Sequence, residues 1–118
     1  MTKFMAVFTG SPNSPQGQAW AKLDEKTRNE RIGQAMQAWH KWANDHASII
    51  TDGGGPLGKT KRVTSEGIAD TSNTMSGYTI IEADSHDAAA KLFANHPHFS
   101  LFPGDGVEIM EVKAIPGM

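Results

Sequence analysis

The chain has 118 residues, 38% hydrophobic and 20% charged, with 11 Lys and Arg against 13 Asp and Glu for a formal net charge of −2. That composition fits one ordinary domain over residues 1–118 and excludes a two-domain enzyme. The balanced charge lacks a basic stripe, so nucleic acid is not an expected partner. No apolar run of membrane length and no leader-like start are present, so neither a membrane nor export is expected and the cytoplasm is the expected location. With no cysteine in the chain, disulfides, thiolate metal sites and cysteine nucleophiles are excluded.

Phe4 to Thr9 (FMAVFT) places Phe4, Ala6 and Phe8 on one face of a strand and Met5 and Val7 on the other, as a strand covered on both sides would. GSPNSPQGQ reads as a loop, followed by a short helical turn or anchored loop at Trp20 and Leu23. Thr27 and Glu30 have the spacing of a capping box, which predicts a helix from Thr27 to about His46. At 100° per residue, Ala35, Met36, Trp39, Ala43 and His46 fall within about 60° of Ile32, with Trp42 and His40 flanking the stripe. This helix should pack on a sheet.

Ser48 to Asp52 predicts a short strand stopped by Gly53, Gly54, Gly55 and Pro56. Lys61 to Thr64 and Ile68 to Ala69 predict a small accessory hairpin at an edge, and Tyr78 to Ala83 predicts a further strand. Ser85 is placed to cap a helix ending near Asn95, because Pro97 forbids its continuation. PHFSLFPGDG is expected to be a loop, and Val107 to Val112 the last strand.

The predicted order, β, α, β, hairpin, β, α, β, specifies an α+β fold of the ferredoxin-like βαββαβ kind. It has a four-stranded antiparallel sheet with two helices on one face. Two helices shield only one side of that sheet. The other side should meet a second copy of the chain, giving a homodimer through the sheet face and a dimeric α/β barrel.

The runs ASIITDGGGPLGKTKRV, SGYTIIEADSHDAAAKLFANHP and VEIMEV resemble the YCII-related family, including its DGPF-type members, over roughly residues 3 to 115. The matching pieces are the Gly-Pro-Leu turn at 55–57, Gly77-Tyr78, the EADSHDAA helix start at 82–89 and the X-Pro at 96–97. The resemblance implies a single YCII-like domain that forms a dimeric α+β barrel. It also implies an acid/base pair, a His on the first helix and an Asp just before the proline after the second. In this chain the latter position is His96; the former falls near Gln37 or Ala38, with His40 about one turn away.

Connectivity puts Asp52, Gly53, Gly54, Gly55, His96 and His98 at one sheet edge. An imidazole beside a carboxylate, with glycine amides bare enough to meet an anion, is an acid/base arrangement. His96 and Asp52 are therefore the candidate catalytic residues. Gly53, Gly54, Gly55, His40, Trp39 and His98 are the candidate ligand-binding residues, around a small molecule lodged between helix and sheet. Two functions are open: a small-molecule enzyme using His acid/base chemistry, or a non-catalytic ligand-binding or regulatory dimer.

Gly53, Gly58, Lys59 and Thr60 match the spacing of a phosphate-binding P-loop, but Ser65, Glu66 and Gly67 leave no room for the helix that the motif needs. Neither a metal nor another cofactor is expected: His96 and His98 should point to opposite sides of an extended backbone around Pro97, and no HExxH-like array is present.

Overall fold

A computed structural model describes residues 1–118. In chain order the elements are β1 (Thr2–Thr9), α1 (Pro15–Ala21), α2 (Glu25–Asp45), β2 (Ile50–Pro56), β3 (Thr60–Thr64), β4 (Gly67–Thr71), β5 (Met75–Ala83), α3 (His86–Lys91), α4 (Pro97–Ser100) and β6 (Gly106–Glu111). Strands β2, β5, β1 and β6 form one four-stranded sheet in that order, every neighbouring pair antiparallel, and β3 and β4 form a separate two-stranded ribbon. This is the ferredoxin-like α+β arrangement expected from the element order.

Strand alternation builds the core. Phe4, Ala6 and Phe8 of β1 share a face with Ile81 and Ala83 of β5, and with Ala89 and Phe93 they make the buried cluster against which Trp39 and Trp42 of α2 pack. Fully burying one such side chain stabilises the fold by roughly 1.5–3 kcal/mol. The opposite parity of β1, Met5 and Val7, is paired with Ile80 and Tyr78 of β5 and with Met110 and Glu108 of β6. No helix lies over this second face, which we call the open face.

Several boundaries differ from the sequence reading for identifiable reasons. Helix α2 starts at Glu25, not Thr27, because Asp24 is the N-cap and its carboxylate accepts the Thr27 amide hydrogen at 2.7 Å. The Thr27 hydroxyl, together with that amide, holds the Asp24 carboxyl below the usual carboxylate range. Along the N-terminal half of the apolar stripe Ala35 is buried but Ile32 and Met36 are exposed, whereas Trp42, expected on the flank, packs on the core and donates its Nε1 hydrogen to the Leu92 carbonyl at 2.9 Å.

Strand β2 runs through the glycines rather than stopping at them. It does so with irregularities between Ile50 and Asp52 and between Asp52 and Gly55. Gly54 has φ +63°, and a Cβ there would lie 1.9 Å from the Tyr78 carbonyl oxygen, so only glycine lets β2 approach β5 at this point. Ser85 caps α3 as predicted, accepting from the Ala88 amide at 3.0 Å. Asn95, with φ +58°, reverses the chain after the turns that follow α3. The segment after it, read as a loop, contains helix α4 with Pro97 in its first turn. The β3–β4 hairpin is longer than read and stands apart as its own ribbon instead of extending the main sheet.

Candidate functional site

A cleft of about 330 Å³ lies between α2 and the helix-facing side of the sheet. Its walls are mainly aromatic: Phe8 from β1, Trp39 and Trp42 from α2, and Phe102 just beyond α4, with Gly53, Gly55 and Pro56 of β2 along one side. Polar groups are few. The Thr79 hydroxyl is engaged with the Asp52 carbonyl at 2.9 Å, and the Ser76 hydroxyl with the Phe8 carbonyl at 3.1 Å. His98 is the one ionisable imidazole on the wall.

The proline after α3 places both His96 and His98. Helix α4 begins at Pro97, so the backbone there is helical, and both imidazoles turn inward to lie 5.2 Å from the Phe8 ring centre. This corrects the expectation that they point to opposite sides. The His98 ring nitrogen Nε2 donates to the Thr9 carbonyl at 2.7 Å, which fixes the neutral tautomer and leaves Nδ1 as the proton-accepting nitrogen. Gly104 presses against the same ring: a Cβ at that position would sit 2.3 Å from Nε2. A second, more open groove of about 410 Å³ lies on the other side and shares His98, Phe102 and Ser76 with the cleft.

His96 lies deeper, 1% exposed. It is boxed by Trp39 at 4.5 Å, Trp42 at 4.8 Å, Phe8 at 5.2 Å and Phe93 at 5.7 Å between ring centres. Its Nδ1 accepts the His98 amide hydrogen at 3.0 Å, so the proton of the neutral ring sits on Nε2, the one buried side-chain nitrogen or oxygen without a partner. Burial, reinforced by the neighbouring His98 and His46, pushes its pKa down to about 4. His96 is thus a neutral ring at neutral pH. It holds the start of α4, and through it His98, in place.

Asp52 does not join it. The irregularity after Ile50 turns Ile50 toward the helices but Asp52 to the opposite parity, paired with Ile80 on the open face. There its carboxylate accepts the Gly54 amide at 2.8 Å and lies 3.5 Å from the Tyr78 hydroxyl. The thickness of the sheet separates Asp52 from His96, so the expected carboxylate–imidazole pair is not formed. The Gly54 amide, already bound to Asp52, is not free to meet an anion. Gly53 and Gly55 reach the cleft, as does Trp39, while His40 is exposed and absent from its wall.

The remaining histidines have local roles. His46 closes α2, its Nδ1 donating to the Trp42 carbonyl at 2.7 Å. His86 ties α3 to β6 through a 2.7 Å bond from Nε2 to the Ile109 carbonyl. No three His, Asp or Glu side chains converge to hold a metal ion. Lys59 and Thr60 lead into strand β3 rather than a helix, so the P-loop geometry is not built. No helix is long and apolar enough to cross a membrane.

Sequence reasoning did not single out Phe102, Tyr78 or Thr79. Strand parity was the available signal for Thr79, because it shares a face with Gly77 and Ile81. Phe102 could not be found in this way, since it comes from a segment after α4 with no periodicity to read.

Fold and site together define a ferredoxin-like α+β protein with an aromatic, histidine-walled cleft between helix and sheet. No family model matches the chain, and no curated protein matches it by sequence. Among solved structures it is similar to 5-chloro-2-hydroxyhydroquinone dehydrochlorinase (TftG) from Burkholderia phenoliruptrix AC1100, described in complex with 2,5-dihydroxybenzoquinone. The TM-score is 0.56 and the identity 19%, covering 94% of this chain and 93% of that one. At that identity the likeness establishes the shared fold.

Proposed function

We propose that this chain is a YCII-related small-molecule enzyme, acting as a homodimer packed through its open faces, that binds a compact planar substrate in the α2–sheet cleft. His98 is its acid/base group, and His96 is a positioning residue that holds α4. The observation that carries the reading is one imidazole, tethered to the Thr9 carbonyl through Nε2, on the wall of an otherwise aromatic cleft of about 330 Å³. Such a recess suits a single ring stacked on Trp39 or Trp42, and Nδ1 of His98 is the proton acceptor that a hydroxylated ring requires. The ligand described for the similar dehydrochlorinase is a ring of that kind.

Acid/base chemistry also needs the conjugate partner that Asp52 does not supply, and no carboxylate lines the cleft. That absence favours the second reading, a ligand-binding dimer without turnover.

Titration with 2,5-dihydroxybenzoquinone, followed by quenching of Trp39 and Trp42 fluorescence, tests the cleft. Chloride release from 5-chloro-2-hydroxyhydroquinone tests turnover. For the enzyme, His98→Gln should cut turnover at least 100-fold while changing binding by less than about threefold. Binding by the wild type without chloride release selects the ligand-binding reading for this substrate class. Absence of any quenching, or quenching untouched by Trp39→Ala, overturns the placement of the ligand.

A further inference from the structure

The second groove, of about 410 Å³, adjoins the cleft directly, because Ser76, His98 and Phe102 form part of the wall of both. Its far side is Trp20 and Ala21 of α1, with Pro12 and Pro103 also on its wall. No Lys, Arg, Asp or Glu lines it.

Local sequence builds this groove. Ser14 caps α1 by accepting the Gly17 amide at 3.1 Å and donates its hydroxyl to the Ser11 carbonyl at 2.8 Å, which ties the helix to the loop before it. Gly17 permits that approach, since a Cβ there would lie 2.3 Å from the Ser11 carbonyl oxygen. The opposite wall is pinned twice, by the Phe102 amide on the Pro97 carbonyl at 2.8 Å and by the Gly104 amide on the His98 carbonyl at 2.9 Å. Phe102 thus stands half-buried between Trp39 of the cleft and Trp20 of the groove, 6.1 Å and 6.5 Å from them between ring centres. The aromatic lining of the cleft runs on into the groove.

We propose that the groove is a second subsite for the same ligand and takes an uncharged aryl substituent carried by the ring in the cleft. This rests on the reading of the cleft as a ring site and narrows its substrate class to aryl-substituted rings. Three observations select that occupant. The walls shared at His98 and Phe102 make the two recesses adjoining parts of one surface, so a group attached to the cleft ring reaches the groove. With no charged partner on the wall, a carboxylate or ammonium substituent would lose its hydration without compensation. The half-buried rings of Trp20 and Phe102 favour a flat group over a flexible chain.

The test is calorimetric titration of the full chain with 2,5-dihydroxybenzoquinone and with its 3-phenyl derivative. The phenyl compound should bind the wild type at least tenfold more tightly than the parent ring. Ala21→Phe, which fills the groove, should shrink that advantage to less than twofold. A parent ring that binds as tightly as the phenyl compound, or an advantage that survives Ala21→Phe, overturns the subsite and leaves the cleft standing. Failure of both compounds to bind overturns the cleft as a ring site and the subsite with it. The chain has 3 Trp, so three indole N–H resonances give a readout on the wild type that needs no variant to fold. The parent ring should shift those of Trp39 and Trp42, and only the phenyl compound should also shift that of Trp20. A Trp20 resonance unmoved by the phenyl compound overturns the proposal. So does one that moves with protein concentration alone, because a second copy of the chain would then occupy the groove.

Discussion

Protonating His96 should destabilise this protein from within. At pH 7.5 the ring is neutral in both folded and unfolded chains, so it makes no difference to stability through titration. As pH falls past 6.5 the unfolded chain takes up a proton, while the folded chain resists until about pH 4, because the ring is 1% exposed among aromatic faces with His98 and His46 nearby. Over that window the unfolded state binds more protons, so stability declines with acid and recovers as pH rises. The gap between 6.5 and about 4, at about 1.36 kcal/mol for each power of ten in proton affinity, sets a ceiling of roughly 3 kcal/mol. Roughly 1 kcal/mol of this should be lost by pH 5.5 and roughly 2–3 kcal/mol by pH 4.5.

Urea unfolding followed by tryptophan emission, at fixed protein concentration and four pH values between 7.5 and 4.5, measures the loss. The comparison is His96→Asn, whose amide oxygen can take over acceptance from the His98 amide but does not titrate. Groups that do not face His96 affect both proteins alike, so the quantity of interest is the difference between the two curves. The wild type should lose roughly 2–3 kcal/mol more than the variant across the range. Parallel curves would show that His96 is already charged or hydrated in the folded chain, and the account of its burial would fail.

The other predictions are simpler to state. Gly54→Ala should cost about 2–4 kcal/mol, since its Cβ would meet the Tyr78 carbonyl at 1.9 Å and its φ is +63°. Gly53→Ala, with nothing within 4 Å of its Cβ, should stay within about 0.5 kcal/mol, and equal urea midpoints for the two would refute the close approach. Trp42→Phe removes the 2.9 Å bond to the Leu92 carbonyl and should cost about 1–2 kcal/mol, read by thermal unfolding; no change would mean that water replaces the indole.

Much of the fold was legible in the sequence. Alternation in β1, the Ser85 cap and the helix break before Pro97 are local signals, each set by a few neighbouring side chains, whereas the break expected at the glycines of β2 is not made. The site was less so. Connectivity assigns Asp52 and His96 to one sheet edge, but edge position says nothing about face. The irregularity that turns Asp52 away depends on how β2 is paired with β5, not on anything within residues 48 to 56. His98 was visible as a candidate, but its place on the cleft wall depends on α4, a single turn stabilised by the His96 ring and the contact with Thr9.

The sequence by itself thus determined the order of the strands and the two main helices, the fold class and a sheet with apolar side chains on both faces, because hydrophobic periodicity and capping act over a few residues. Only the tertiary structure decided which histidine lines the cleft and which is sealed beneath it, that Asp52 belongs to the open face, and that β3 and β4 stand free. Those outcomes depend on strand register and on side chains distant in sequence, where a one-residue irregularity exchanges one face for the other.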